Sequence, residues 1–177
     1  TPHIDELAAN GIRFTNAYAP ASTSSPSRYA LLTGEYAFRK RVGILPADAP
    51  LTIDPQSNNL PLQLKSSGYT TGIVGKWHLG LGNRNETVDF NKKITAGMRS
   101  VGFDYSYIFP ATNDRVPTIF LENDQVVNGD PNDPIKVSYR KKIGNEPTGK
   151  ENPDLLTLKY YQGHDGTIIN GISRIGW

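Results

Sequence analysis

The chain has 177 residues, 37% of them hydrophobic, with 17 Gly, 13 Pro and no Cys. That length can bury a sizeable core among many loops, and the missing Cys excludes disulfides and thiolate metal sites. Nineteen basic against 17 acidic residues leave a formal net charge of +2, which excludes nucleic-acid or membrane-surface binding driven by bulk charge.

Thr1 to Asn10 is predicted as a short helix, capped by Thr1, with Pro2 in its first turn and Asp5 and Glu6 at its positive end. Ile4, Leu7 and Ala8 share one face, and Gly11 supplies the stop. Ile12 to Tyr18 is predicted as a strand with Ile12, Phe14 and Tyr18 on one side. Ala19 to Ser25 reads as a small-residue loop, and Ser27 to Thr33 as a helix ended by Gly34. Glu35 to Asn59 is irregular and Pro-rich. Leu60 to Ser67 is predicted helical, with Leu60 and Leu64 inward and Gly68 ending it, and Tyr69 to Val74 reads as a buried strand. This alternation argues for an α/β sheet with crossover helices.

Gly80 to Gly97 reads as a polar loop, and Met98 to Phe109 shows strand-like aromatic alternation. Pro117 to Asn128 is predicted as a hairpin with Asn123-Asp124 at its turn. Gly129 to Asn152, rich in Pro, Asp, Lys and Gly, reads as a surface excursion. No repeat, low-complexity tract or signal peptide is found, and no apolar run approaches the ~20 residues of a membrane span. The chain opens on a helix cap and stops without a polar tail, so it is read as a piece of a longer protein.

Two stretches carry chemistry. Ser24-Ser25-Pro26-Ser27-Arg28, followed by Leu32-Thr33-Gly34, sets a hydroxyl, a proline and an arginine at the mouth of a helix. The free N–H groups and positive dipole end there favour an anion. Pro26 lacks an N–H and suits a helix entry, and Arg28 offers a fork of donors. In the second stretch, Gly68-Tyr69-Thr70-Thr71-Gly72-Ile73-Val74-Gly75-Lys76-Trp77-His78-Leu79, Lys76 and His78 leave a strand where loops often carry function. Taken alone, each has a plainer reading: Ser24 a turn residue, Arg28 a solvated helix residue, His78 a structural histidine. Trp77 reads as packing and His3 as structural.

Together, in this order and at this separation, the two stretches resemble the signatures of type I (formylglycine-dependent) sulfatases, serine-type and arylsulfatase-like. The lead-in from Thr1 to Ala8 and from Phe14 to Tyr18 is similar as well. The resemblance is tight over 1–82 and looser from Gly102 to Trp177. It implies an α/β fold, an alkaline-phosphatase-like mixed sheet flanked by helices, incomplete at both ends. Residues 1–177 would be a partial N-terminal sulfatase domain, with 1–82 as catalytic-motif core and 83–177 as a loop-rich substrate-side region.

The resemblance also implies a mechanism. A maturase oxidises Ser24 to formylglycine, whose hydrate attacks sulfur, forms a covalent sulfoenzyme and then expels sulfate. Arg28 holds the hydrated aldehyde, Lys76 contacts the sulfate, and His78 hydrogen-bonds the formylglycine hydroxyls. The implied metal is Ca²⁺ or Mg²⁺, held by residue 24 as formylglycine and by ligands outside the chain. The substrate would be a sulfated carbohydrate or an aryl sulfate, with His164 and Asp165 as sugar contacts, as an aid to the leaving group, or as a pair fixing a loop. The full-length protein would be periplasmic or secreted, and this chain alone would turn over no sulfate ester. A non-catalytic sulfated-glycan-binding homologue and a phosphoester hydrolase of the same superfamily stand as alternatives.

Overall fold

The computed structural model describes residues 1–112, 115–139, 143 and 145. Four strands form one mixed sheet in the order β1 (Gly72–Lys76), β2 (Tyr105–Phe109), β3 (Leu121–Glu122) and β4 (Gln125–Val126). β1 and β2 run parallel, pairing Gly72 with Tyr105 through Lys76 with Phe109. β2–β3 and β3–β4 are antiparallel. Three helices accompany the sheet: α1 (Pro2–Asn10), α2 (Ser24–Thr33) and α3 (Leu60–Ser66). The α/β expectation holds, as a sheet of mixed direction.

A polar clamp sets the parallel pair in register. The Thr71 backbone N–H donates to Asp104 Oδ2 at 3.0 Å, and Thr71 Oγ1 donates to the Gly102 carbonyl at 2.7 Å. Lys65 of α3 reaches Asp104 Oδ1 at 2.7 Å. Gly102 has φ 107°, and a Cβ there would strike the side chain of Leu62. The clamp therefore ties α3 to the start of β2. α3 itself is capped by Asn59, whose Oδ1 accepts from Leu62 N at 3.0 Å.

β3 and β4 form the predicted hairpin. Asn123 and Asp124 both have positive φ, 48° and 68°, as a two-residue primed turn requires. Asp124 then does more than turn the chain. It is 2% exposed, its Oδ1 accepts from Met98 N at 3.0 Å, and its carbonyl accepts from Ile94 N at 2.9 Å. Burial pushes its carboxyl pKa up, against the N–H bonds that favour the charged form. The core cluster includes the buried Trp77, Leu79, Met98, Val101, Ile108, Ile119 and Leu121.

Several sequence expectations are corrected. Ile12 to Tyr18 forms no strand, and Ile12, Phe14 and Tyr18 stay exposed. Alternation supplies a side-chain face, but a strand also needs a neighbour's backbone, and none of the described residues pairs with this segment. α1 forms as predicted but buries no residue, and Gly11 ends it at φ −129° rather than in a left-handed cap. The strand predicted at Tyr69–Val74 begins three residues later, because Thr71 is spent on the clamp, and Val74 faces outward. Leu60 and Leu64 are not inward; Pro61 is the buried residue of α3. Gly80 to Gly97 is irregular but not merely polar, since Leu81, Phe90, Ile94 and Ala96 are buried. Met98 to Phe109 is strand only from Tyr105, after a 3₁₀ turn over Arg99–Val101. Most of the predicted excursion past residue 139 lies outside the described residues.

Two outcomes follow from these contacts. A Cβ on Gly97 would collide with Asp124 Oδ1, so Gly97→Ala should lower unfolding free energy by about 1–3 kcal/mol, read as a drop in denaturant midpoint. Lys65, then the Thr71 N–H, hold Asp104 down to about 2, below the ordinary 3.8. A depressed carboxyl contributes stability above its ordinary pKa and loses it as pH falls through the folded value. The stability gap between wild type and Asp104→Asn should therefore close between about pH 4 and 2 in urea titrations at each pH.

Candidate active site

The site is assembled where the sheet meets α2. Beyond Lys76 the ladder continues, Trp77 N donating to Phe109 O at 2.9 Å and His78 N to Pro110 O at 2.9 Å. Trp77 turns into the core at 1% exposure, packs edge-on against Phe103, and donates Nε1–H to Gly80 O at 2.7 Å. This anchor fixes the next residue, His78, which takes a left-handed φ of 53°.

α2 begins earlier than predicted, with Ser24 as its first residue and Thr23 as its extended N-cap. Ser24 is thus inside the first turn. The N–H groups of Ser24 and Ser25 have no intrahelical acceptor, and Pro26 contributes none. Ser25 and Pro26 are buried, and Ser25 Oγ accepts from Leu45 N at 3.3 Å. Gly34 ends the helix as predicted, in a left-handed cap at φ 71°.

Arg28 lies one turn beyond Ser24, the spacing at which helical side chains meet. Its Nε donates to Ser24 Oγ at 3.1 Å, and an Nη donates to the Lys76 carbonyl at 2.6 Å. One guanidinium therefore joins the helix entrance to the end of β1. On the other side, His78 Nδ1 is 3.3 Å from Ser24 Oγ. His78 Nε2 lies 3.0 Å from Leu45 O and 2.6 Å from an Nη of Arg115. Arg115, 3% exposed, also donates to Leu45 O.

The electrostatics follow from this crowding of cations. Burial, and then the charges of Lys76, Arg115 and Arg28, lower the His78 pKa to about 4, against an opposing bond to Leu45 O. His78 is thus a neutral imidazole at neutral pH. Among the described residues the ring's hydrogen-bond partners are Ser24, Leu45 and Arg115 rather than a carboxylate, so these residues do not build a Ser–His–Asp relay. The arrangement gathers hydrogen-bond donors and positive charge around Ser24 Oγ, surroundings that favour an anion. A cavity of about 780 Å³ opens there, walled by Thr23, Ser24, Ser27, Arg28 and Tyr36. Glu35, also on its wall, is engaged by Tyr29 and Lys40.

Of the predicted site residues, Ser24, Arg28 and His78 converge. Lys76 ends β1, offers its carbonyl to Arg28, and places its charge near enough to depress His78. His164 and Asp165 lie outside the described residues. Among the described residues no three His, Asp or Glu side chains come together to hold a metal, and the charged side chain bonded to Ser24 is a cation. These residues alone do not form the oxygen cradle that Ca²⁺ requires. Sequence reasoning missed Arg115, Ser25 and Leu45. Arg115 sits in no motif, 37 residues after His78, and Leu45 acts through its backbone, which no side-chain pattern reveals.

Comparison with known proteins places this geometry. A sulfatase family model matches residues 1–166. An N-acetylgalactosamine-6-O-sulfatase of Bacteroides thetaiotaomicron is 57% identical over all of this chain, which spans 35% of that relative's length. Arylsulfatase A of Homo sapiens is 44% identical over 46% of this chain and 17% of its own. A solved Bacteroides thetaiotaomicron structure, described under the metabolism of multiple glycosaminoglycans, superposes with a TM-score of 0.82 at 56% identity, covering all of this chain and 37% of that one. The Ps i-CgsB structure in complex with a neocarrahexaose gives a TM-score of 0.54 at 26% identity, over 72% of this chain and 31% of its own. The mixed sheet with flanking helices is the alkaline-phosphatase-like fold of such sulfatases. On a family match across 1–166 and a full-chain identity of 57%, the chain belongs to the sulfatase family.

Proposed function

We propose that this chain carries the nucleophile side of a sulfuric ester hydrolase that cleaves sulfate monoesters, with residue 24 acting as formylglycine. The convergence of Arg28 Nε and His78 Nδ1 on Ser24 Oγ at the first turn of α2 carries this reading. A sulfate ester is anionic, and its attacker needs fixed donors and positive charge around the sulfuryl oxygens. Oxidised and hydrated, residue 24 supplies paired hydroxyls, one to attack sulfur and one to lose its proton and expel sulfate, which a plain serine cannot do. Arg28 orients residue 24 and supports its developing charge. Lys76 lends positive charge beside the sulfuryl group, and His78 bonds the residue 24 hydroxyls.

The substrate is a sulfated carbohydrate, with 6-O-sulfated N-acetylgalactosamine the first to try because the full-chain relative is named for it. His164 and Asp165 keep their proposed sugar contacts. The metal is Ca²⁺ or Mg²⁺, with oxygen ligands from beyond the described residues, and a maturase is required. No helix among the described residues is long and apolar enough to cross a membrane. A periplasmic or secreted setting suits a glycan substrate.

Peptide mass spectrometry on the full-length protein should find residue 24 two hydrogens lighter than serine, alongside sulfate release from N-acetylgalactosamine-6-sulfate. Ser24→Ala should lower kcat at least about 10³-fold. An unmodified Ser24 in an inactive protein that still binds sulfated glycan would reject the hydrolase reading. Arg28→Lys should cost about 10²-fold in kcat, because a lysine cannot span Ser24 Oγ and the Lys76 carbonyl at once; unchanged kinetics would remove Arg28 from the site.

A further inference from the structure

Arg115 is buried, it belongs to neither motif, and among the described residues its guanidinium meets two acceptors at the site. One is the Leu45 carbonyl and the other is His78 Nε2, at 2.6 Å. A guanidinium carries five N–H donors and no acceptor. A contact at this distance therefore requires a lone pair on Nε2. A neutral imidazole with a bare Nε2 carries its proton on Nδ1, the atom 3.3 Å from Ser24 Oγ. The opposite tautomer would donate Nε2–H to Leu45 O, 3.0 Å away, but it would set that N–H against the guanidinium donors.

We propose that Arg115 is a positioning residue that fixes His78 as an Nδ1–H donor aimed at residue 24. Ser25 completes the device. Its buried Oγ accepts from Leu45 N at 3.3 Å, so the residue whose carbonyl Arg115 holds hangs from the same helical turn that carries Ser24. The circuit runs from Ser24 through His78 and Arg115 to Leu45, and back through Ser25. A shift of α2 moves the nucleophile and the partner that sets its donor together.

The tautomer is argued from the donors and acceptors around Nε2; its effect on turnover rests on the sulfatase reading, and the two are measured separately. Nitrogen-15 imidazole spectra of the full-length protein, with the His78 signals assigned by their loss in His78→Gln, should show Nδ1 protonated and Nε2 bare. Arg115→Met should invert this, freeing Nε2–H for Leu45 O. It should also lower kcat on N-acetylgalactosamine-6-sulfate by about 10–100-fold, the usual loss when a histidine's outer partner is removed, with KM changed less than about threefold. Arg115→Lys, which keeps a cationic donor group, should restore the Nδ1–H tautomer and part of kcat. A protonated Nε2 in wild type overturns the proposal even if Arg115→Met fails to fold, and so does an Arg115→Met protein with wild-type tautomer and kcat. A wild type with the expected tautomer but no sulfate release supports the positioning role and rejects the sulfatase reading.

Discussion

The parallel ladder between β1 and β2, carried on past its last strand residue, is the constraint on which the rest of this structure depends. Its extension through Trp77 and His78 onto Phe109 and Pro110 delivers an imidazole to a fixed point at the carboxyl end of the sheet. The Thr71–Asp104 clamp prevents a slip at the opposite end. A slip of one residue would exchange the two faces, sending Trp77 to solvent and His78 into the core. The same register decides both what is packed and what is presented.

Against that fixed point the helix is docked by polar contacts rather than by a broad apolar face. α2 buries only Ser25, Pro26 and Tyr29, and its entrance is held by Arg28 on the Lys76 carbonyl and by Ser25 on Leu45 N. Hydrogen bonds to charged groups are short and directional, which suits a helix whose first residue must be placed to within a fraction of an ångström. Concentrating cations there has a cost, since like charges repel unless an anion joins them. On the proposed sulfatase reading, a bound sulfate ester would relieve that repulsion.

What the sequence revealed tracks the range of the forces involved. The hairpin turn at Asn123-Asp124, the helix stop at Gly34 and the extent of α3 depend on neighbours within a few residues, and each was legible. The two motifs brought Ser24, Arg28 and His78 to notice as members of a family pattern. Arg115 was not legible, because a lone arginine becomes informative only when the fold lays it on His78. The failed strand at Ile12 to Tyr18 teaches the same lesson in reverse. Its alternation was real, but pairing is a property of two segments. Asp124 was read as a turn residue alone, since nothing local announced that its carboxylate would be swallowed to hold Met98.

His78 reaches its place at a backbone angle that a residue with a Cβ adopts at a cost of about 1 kcal/mol or more. That strain is held in place by the ladder bond to Pro110 and by the ring's own partners. A glycine at this position would relax the backbone while abolishing the imidazole. Relief of strain at this residue would therefore remove the ring that Ser24, Leu45 and Arg115 meet, so the strained angle and those contacts are gained or lost together.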